Sequence, residues 1–149
     1  GDDVIHGRKG ADILVGGADD DRIFGGRGHD DISGGLGNDI LKGGKGNDTF
    51  VFDTALGPDN VDRIKDFPPE HDTIELSALI FAGIGSLGVL AATAFHVGFA
   101  ALDAADRIIY DRASGKLFYD EDGAGGVEAV QFAKLRPGLD LTADDFLVA

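Results

Sequence analysis

Aspartate recurs at every ninth position through the first third of the chain. The aspartates that share this phase are Asp3, Asp12, Asp21, Asp30, Asp39 and Asp48. Carboxylate oxygens and backbone carbonyl oxygens are the ligands that calcium prefers. Glycines surround the aspartates at equally regular intervals, and the turns that they form would supply those carbonyl oxygens. These glycines are Gly7, Gly10, Gly16, Gly17, Gly25, Gly26, Gly28, Gly34, Gly35, Gly37, Gly43, Gly44 and Gly46. The pattern therefore predicts a row of calcium sites built from aspartates and glycine-rich turns.

The elements that must position these aspartates are short strands. Each nine-residue unit divides into a six-residue glycine-rich turn and three residues of strand character, with one apolar residue at their centre. The apolar residues are Ile5, Leu14, Ile23, Ile32, Leu41 and Phe50. One apolar residue per unit cannot form a core alone, so we expect a solenoid with two units per coil and two facing parallel sheets.

Aspartates eighteen residues apart then lie on successive coils. Neighbouring strands stand about 4.8 Å apart, which is about two calcium–oxygen bonds of roughly 2.3–2.6 Å. The pairs expected to share an ion are Asp12 with Asp30, Asp21 with Asp39, Asp30 with Asp48 and, at an incomplete turn, Asp3 with Asp21. Magnesium requires a tighter octahedron, and zinc favours His or Cys ligands. Without a cation these like charges should keep the segment disordered. The alternative is a flexible glycine-rich linker.

Composition limits the partners of this 149-residue chain. A formal net charge of −14 argues against nucleic acid and against an anionic membrane surface. The absence of cysteine excludes disulfides and thiolate metal sites. Because the chain starts at Gly1 and contains no methionine, we expect it to be a fragment or a processed product of a larger protein.

The repeat resembles a known family. The units GGLGNDILK (residues 34–42) and GGRGHDDIS (residues 25–33) match the nonapeptide GGxGxDxUx of the RTX (repeats-in-toxin) proteins. The resemblance covers residues 1–51 and departs from the pattern at Arg8 and Asp19, which replace glycines. It implies a parallel β-roll with calcium between the turns. It also implies a bacterial protein that a type I secretion system exports and that folds outside the cell.

Residues 52–149 contain no further nonapeptide, and we expect a β-rich C-terminal region that caps the roll of residues 1–51. Residues 61–67 and 72–76 are predicted strands around a Pro68-Pro69 turn, and they resemble the segment that follows the repeats in secreted RTX proteases and alginate epimerases. Additional calcium at Asp66 or Asp72 is one interpretation, and a solvated strand face is the favoured one. Residues 107–111 and 116–120 predict a hairpin, with a third strand in residues 127–135.

Two further segments carry acidic residues. Asp120 to Gly123 matches part of an EF-hand loop, but Phe118 and Ala129 stand where ligands are required, so a polar turn is favoured over calcium at Asp120 or Asp122. Near the C-terminus, Thr142 is predicted to cap a short helical turn. Residues 145–148, acidic and then apolar, resemble the uncleaved C-terminal signal of type I exported proteins. A last strand packed on the core is the alternative.

Residues 76–102 contain no charged side chain. Glycines interrupt the run and its flanks are acidic, so we predict a core helix plus a loop rather than a membrane span.

No catalytic constellation is recognisable. The four histidines form no HExxH motif, no serine lies in GxSxG, and GIGSLG (residues 83–88) lacks the strand–helix context of a dinucleotide site. Three hypotheses for a non-catalytic module remain. The first is a calcium-folded export module detached from an enzyme or toxin, the second a polysaccharide-binding module, and the third an adhesive or surface-layer building block. The net charge counts against anionic polysaccharides unless bound calcium changes the local field.

Overall fold

The computed structural model describes residues 1–149 and contains fourteen β-strands, two short 3₁₀ turns and no α-helix. The 3₁₀ turns are Ala92–Ala94 and Ala143–Asp145. The strands in chain order are β1 (Val4–Lys9), β2 (Ile13–Ala18), β3 (Arg22–Arg27), β4 (Asp31–Leu36), β5 (Ile40–Lys45), β6 (Thr49–Phe52), β7 (Asp62–Ile64), β8 (Thr73–Leu76), β9 (Gly88–Val89), β10 (Phe95–Val97), β11 (Ile108–Asp111), β12 (Lys116–Tyr119), β13 (Val130–Lys134) and β14 (Phe146–Val148).

The first six strands form a parallel β-roll with two nonapeptide units in each coil. β1, β3 and β5 pair in parallel in one sheet, and β2, β4 and β6 pair in parallel in the other. The register stacks the apolar residue of each unit on its counterpart one coil away. The resulting columns are Ile5, Ile23 and Leu41 in one sheet and Leu14, Ile32 and Phe50 in the other. The predicted all-β architecture with a parallel β-roll is confirmed.

Two glycine positions in each turn require a positive φ angle, which L side chains rarely adopt. The second position of the turn has φ between 104° and 117°, and the fourth has φ between 126° and 141°. These residues are Gly17, Gly26, Gly35 and Gly44 at the second position and Gly10, Gly28, Gly37 and Gly46 at the fourth. The two departures from the repeat follow the same path, because Arg8 has φ 80° and Asp19 has φ 79°. The backbone of the coils is therefore unchanged at these two positions, although a residue with a side chain is strained at positive φ.

The C-terminal region begins by extending both sheets of the roll. β7 pairs in parallel with β5, and β8 pairs in parallel with β6. The two strands around the Pro68-Pro69 turn therefore continue the solenoid by one more coil rather than forming a hairpin. Beyond them β13 joins β7, and β14 joins β8. The predicted hairpin (β11 and β12) and its neighbour β13 continue the larger sheet in antiparallel pairing, and β10 completes its edge in parallel with β11.

An aromatic cluster fills the C-terminal region. Phe132 packs edge-on against Phe52 and Phe81, with ring centroids 5.1 Å apart in both pairs. Phe81 in turn packs edge-on against Tyr119 at 5.2 Å. Such edge-to-face pairs add to the stabilisation that burial alone supplies. Phe52 is the link between this cluster and the last strand of the roll.

The prediction of a core helix within residues 76–102 is wrong. This segment contains only β9, one 3₁₀ turn and β10, joined by irregular backbone. Gly83, Gly85 and Gly88 all have positive φ, which an α-helix does not accept. Several apolar side chains of the run are exposed, among them Phe99 at 86%. No helix of the chain has the length and apolar character needed to cross a membrane.

Basic residues lie almost entirely along one of the two sheets. The five adjacent strands β1, β3, β5, β7 and β13 each contribute two basic residues, within the strand or within two residues of its end. The six strands of the other sheet contain no lysine and no arginine. Although the net charge of the chain is negative, its basic residues are therefore distributed very unevenly between the two sheets. We call the basic surface the cationic face: Arg8, Lys9, Arg22, Arg27, Lys42, Lys45, Arg63, Lys65, Lys134 and Arg136.

Candidate metal-binding site

The repeat aspartates lie at the junctions between the turns and the strands, in two rows that run along the roll. Asp21, Asp30, Asp39 and Asp48 are each only 1% exposed. Asp12 is half-buried and Asp3 is exposed, because fewer coils cover the N-terminal end of the roll. Burial of an ionised carboxylate is costly unless another group compensates its charge. In each row, only the N-terminal aspartate is less enclosed than the others.

Each aspartate is connected to the aspartate one coil further on. The backbone N–H of Asp12 donates to Oδ1 of Asp30 at 3.0 Å, and the N–H of Asp30 donates to Oδ1 of Asp48 at the same distance. In the other row, the N–H groups of Asp3 and Asp21 donate to Oδ1 of Asp21 and Asp39, both at 2.7 Å. The pairs predicted from the eighteen-residue spacing are thus neighbours in the structure.

The contact within each pair differs from the simple picture of two carboxylates facing each other. The carboxylate of one coil meets the backbone amide of the previous coil, because the amide of the aspartate points along the axis of the roll. This contact uses Oδ1 and leaves Oδ2 available. No three Asp, Glu or His side chains converge on one point anywhere in residues 1–149. Carboxylates alone therefore cannot enclose an ion here, and backbone oxygens must complete any coordination shell.

The second carboxylate oxygen of the repeat aspartates, Oδ2, is the atom that indicates a cation ligand. Oδ2 is buried and has no hydrogen-bond donor in Asp12, Asp21, Asp30, Asp39 and Asp48. Buried polar atoms are almost always satisfied in folded proteins. An unpartnered anionic oxygen that repeats in phase with the sequence is the arrangement expected of a cation ligand. The residues present therefore fit calcium.

The first glycine of each turn keeps the space beside this oxygen open. A Cβ atom placed on Gly25 would lie 2.5 Å from Oδ2 of Asp30 and 2.6 Å from the carbonyl oxygen of Gly43. The same crowding by an aspartate Oδ2 occurs at the equivalent glycines Gly7, Gly16, Gly34 and Gly43. Any side chain at this position would fill the gap where a carboxylate oxygen and a backbone carbonyl approach each other. Glycine is thus required for a spatial reason that is separate from the φ requirement.

Both rows of aspartates continue beyond the repeats. The N–H of Asp39 donates to Oδ1 of Asp62 at 3.1 Å, and the N–H of Asp48 donates to Oδ1 of Asp72 at 3.0 Å. In addition, the N–H of Gly43 donates to Oδ1 of Asp66 at 2.9 Å. The sequence favoured a solvated strand face for Asp66 and Asp72, yet Asp72 is buried and takes the place of the next repeat aspartate. Asp62 was missed, because a five-residue insertion shifts it out of phase.

Burial perturbs the ionisation of the aspartates at this end of the rows. Desolvation, together with the nearby charge of Asp39, raises the pKa of Asp62 to about 8. Desolvation likewise raises the pKa of Asp72 to about 6, with the charge of Asp48 adding to the effect. The pKa values of Asp39, Asp48 and Asp66 are raised for the same primary reason. A bound cation would reverse this preference by stabilising the ionised form.

A second, outer ladder was not visible in the sequence pattern. It involves the residue just before each aspartate. The N–H of Asn38 donates to Oδ1 of Asp20 at 2.8 Å, and the N–H of Asn47 donates to Nδ1 of His29 at 3.0 Å. Short side chains with acceptor atoms at this position thus tie successive turns together. His29 is exposed but is part of this ladder rather than free in solvent.

The remaining acidic segments are held mainly by local hydrogen bonds, although Oδ1 of Asp122 is buried without a donor. Asp120 accepts a hydrogen bond from the N–H of Asp122, whose own Oδ2 accepts from Gly126 and Val127. The segment is a turn, and whether it also binds calcium at Asp120 or Asp122 stays a prediction. Near the C-terminus, Thr142 and Asp145 form a reciprocal capping box at a 3₁₀ turn, as the sequence predicted. β14 follows directly and packs between β8 and β9.

Comparison with known proteins agrees with this geometry. A family model described as the RTX calcium-binding nonapeptide repeat matches residues 1–32 and 28–54, in four copies. No curated protein sequence matches the chain.

Two solved structures extend the likeness over nearly the whole chain. Both are solution structures of subunits of the Azotobacter vinelandii mannuronan C5-epimerase. The AlgE6R3 subunit is 25% identical, with a TM-score of 0.54, over 98% of this chain and 78% of that one. The AlgE6R2 subunit is also 25% identical, with a TM-score of 0.53, over 98% of this chain and 91% of that one. Residues 1–54 therefore match the RTX calcium-binding nonapeptide repeat, and the chain builds them into a parallel β-roll.

Proposed function

We propose that this chain is a non-catalytic calcium-binding module whose repeats acquire their order when calcium binds. The observation that carries the proposal is the row of buried Oδ2 atoms without any hydrogen-bond donor. Each such atom is an anionic ligand of the kind that calcium prefers. Calcium would supply positive charge between the coils, and the binding free energy would become folding free energy.

The ligands proposed from this chain are the aspartates of the two rows and the carbonyl oxygens of the glycine-rich turns. Asp12, Asp21, Asp30, Asp39 and Asp48 supply the enclosed carboxylates. Asp3 lies at the exposed end and contributes least. Asp62 and Asp72 continue the rows, so the ion-binding region extends past the roll of residues 1–51 into the capping region of residues 52–149.

We further propose that the module belongs to a larger secreted bacterial protein and folds after export by a type I system. RTX repeats, which match residues 1–54, are typical of such proteins. A chain that stays unfolded at low calcium would remain able to pass through an export channel. The resemblance of residues 145–148 to a C-terminal export signal is compatible with burial, because the signal would be read before β14 packs. In the folded chain Phe146 and Val148 are buried.

A calcium titration followed by circular dichroism tests the proposal. Strand content should increase over a defined range of calcium concentration, and Asp30→Asn should shift the midpoint to higher calcium. Asp31→Asn is the matched control, because it removes the same charge from the neighbouring, exposed position. An unchanged spectrum up to millimolar calcium, or equal shifts for the two variants, would contradict the proposal.

Export is tested separately. The chain fused behind a reporter should appear in the medium of cells that contain a type I exporter. Removal of residues 142–149 should abolish this. Continued secretion of the truncated fusion would refute the signal without affecting the calcium proposal.

A further inference from the structure

An apolar groove lies on the outer face of the larger sheet, within the capping region. Ile109 is completely buried, yet it is not part of the hydrophobic core, which Ile108 and Tyr110 enter from the opposite face of β11. The strand register aligns Ile109 with Phe118, and Phe118 with Gln131. Side chains directly opposite each other in antiparallel strands share one face of the sheet. These three side chains therefore form a row across β11, β12 and β13 that faces away from the core.

Two cavities along this row join into one groove. One has a volume of about 460 Å³ and is lined by Phe99 and Ile109, among other residues. The other measures about 410 Å³ and reaches Val61, just before β7. Phe118 and Glu128 border both cavities. From β11 to β7 the groove crosses three strand spacings of about 4.8 Å each, which is about 14 Å in total.

The rim of the groove exposes large apolar side chains. Phe99 is 86% exposed and Val127 is 45% exposed, and both line the wider cavity. Extended patches of exposed apolar surface are typical of interaction sites in soluble proteins, whereas scattered apolar residues are not. The groove therefore combines an apolar floor with an apolar rim, as ligand-binding sites do.

Carboxylates are the only charged groups that line the groove. Glu128 is exposed and borders both cavities, and Asp120 lines the wider cavity although it is only 5% exposed. No lysine, arginine or histidine lines either cavity. A ligand with positive charge would complement these carboxylates, and its uncharged parts would cover the apolar floor.

A polysaccharide fits this groove poorly. Its hydroxyl groups would lose water on binding, and each buried hydroxyl would need a hydrogen-bond partner. The only polar side chains that the groove offers are those of Asp120, Glu128 and Gln131. The remaining lining residues are apolar residues and glycines, so most sugar hydroxyls would be left without a side-chain partner.

An extended peptide fits both the length and the chemistry of the groove. At about 3.4 Å per residue, four residues in extended conformation cover about 14 Å. Lysine and arginine side chains can lay their aliphatic stems on an apolar floor while their charged ends reach a carboxylate such as that of Glu128. A segment in which apolar and basic residues alternate would therefore use both features of the groove.

We propose that this groove binds an extended segment of a partner protein in which apolar and basic residues alternate. An apolar side chain of the partner packs against Phe99 and Phe118, and a basic side chain pairs with Glu128. The interaction uses no aspartate of the two calcium rows and is separate from the calcium-binding function. Loss of calcium-induced folding would appear in circular dichroism, whereas failure of this proposal would appear only in peptide binding.

Nuclear magnetic resonance titration of the ¹⁵N-labelled full chain, at saturating calcium, tests the proposal. The probe is the peptide acetyl-Leu-Lys-Phe-Lys-amide, which should shift the amide signals of Ile109, Phe118 and Gln131. Two control peptides separate charge from apolar contact. Acetyl-Leu-Glu-Phe-Glu-amide reverses the charge, and acetyl-Ser-Lys-Ser-Lys-amide removes the apolar side chains. Each control should bind at least about tenfold more weakly than the probe.

Two pairs of variants locate the site. Phe99→Ala should weaken binding of the probe about tenfold, the loss expected when an aromatic contact is removed. Leu79→Ala should leave it unchanged, because Leu79 is 92% exposed and lines neither cavity. Glu128→Gln should weaken binding about threefold, the effect of one exposed ion pair. Glu121→Gln removes the same charge from an exposed position outside both cavities and should leave the affinity unchanged.

The outcomes that contradict the proposal are distinct. Absence of probe binding at millimolar concentration would refute it, and so would equal affinity of either control peptide. Equal losses in the paired variants, or signal shifts confined to residues outside the groove, would overturn the assigned site. Binding of maltohexaose at the same amides with similar affinity would overturn the choice of a peptide. Because Phe99 and Glu128 are exposed, circular dichroism in calcium should show an unchanged fold for both groove variants.

Discussion

The roll of residues 1–51 and the capping region of residues 52–149 share one hydrophobic core but contribute to it very unequally. Only four fully buried apolar side chains belong to the roll: Ile23, Ile32, Leu41 and Phe50. The capping region contributes all the others, including the aromatic cluster around Phe132. The roll also carries 14 of the 24 glycines, whose ordering costs more conformational entropy than that of other residues. We therefore expect apolar burial to stabilise the roll less than the cap, and the proposed calcium sites to supply part of the difference.

Buried aspartates show the same difference. In the capping region Asp106 accepts hydrogen bonds from the N–H groups of Leu102 and Asp103, and Asp145 accepts one from Thr142. These carboxylates terminate loops and are satisfied by nearby amides. In the roll one oxygen of each enclosed carboxylate has no donor. The same residue type thus completes local structure at Asp106 and Asp145, whereas in the roll it leaves the oxygens to which the proposed calcium would bind.

Substitutions in the two cores should separate the regions most clearly. Phe132→Ala should lower the free energy of unfolding by about 3–5 kcal/mol both with and without calcium, because the aromatic cluster does not depend on the ion. Ile32→Ala should cost about 2–5 kcal/mol only in calcium, where the roll is folded. Denaturant unfolding at saturating calcium and in chelator measures both. Equal calcium dependence of the two variants would mean that the regions share one source of stability.

Aspartate variants should sharpen the contrast within the roll. Asp39→Asn removes a charged oxygen from an enclosed position and should cost about 1.5–3 kcal/mol of calcium-dependent stability, the range for interactions with charged groups. Asp3→Asn changes an exposed aspartate at the open end and should cost less than about 0.5 kcal/mol. The midpoints of calcium-induced folding give both values. Similar midpoints for the two variants would show that the enclosure of Asp39 does not strengthen its contribution to calcium binding.

The pH dependence should differ in sign between the metal-free and the calcium-loaded protein. Burial raises the pKa of Asp62 to about 8 and that of Asp72 to about 6, above the value of about 4 for an unfolded carboxyl. The folded chain therefore binds protons more readily than the unfolded chain. The associated stability is complete below about pH 4 and is lost as the pH rises through 6 and then 8.

In chelator, protonation of Asp62 and Asp72 should replace the missing cation and allow the last coils to order, so thermal unfolding should give a higher midpoint at about pH 5 than at about pH 8, where the roll is disordered. Calcium should abolish or reverse this order, because the ion stabilises the ionised carboxylates. Asp62→Asn should flatten the metal-free profile between pH 6 and 8. A metal-free midpoint that increases with pH would show that these carboxyls are not desolvated as the structure indicates.

The smallest expected effect concerns the strained turn at Arg8, which has φ 80°. Arg8→Gly should stabilise the calcium-loaded roll by about 1 kcal/mol, because glycine adopts positive φ without the Cβ clash. Arg8→Ala keeps the Cβ and serves as the control. Equal midpoints for the two variants would assign the effect to the lost charge rather than to the backbone.

Much of the roll could be predicted from the sequence because its period is strict. The phase of Ile23 and Leu41 predicted their stacking, and the phase of Asp21 and Asp39 predicted their adjacency. The insertion before Asp62 and the Pro68-Pro69 turn concealed the continuation of both rows, since neither preserves the period.

Residues 76–102 were predicted as a core helix because they lack charge, but the positive φ of Gly83, Gly85 and Gly88 excludes a helix. The concentration of basic residues on one sheet can be recognised in the sequence only after alternate repeat units have been assigned to the same sheet.

Residue-resolved hydrogen exchange with and without calcium tests the central claim most directly. In chelator at neutral pH, the amides of β3, β4 and β5 should exchange rapidly, while those of β11, β12 and β13 remain protected. Addition of calcium should protect the amides of Asp12, Asp21 and Asp30, which bridge successive coils. Equal protection of these amides in chelator and in calcium would contradict the account, because the roll would then be ordered without the ion.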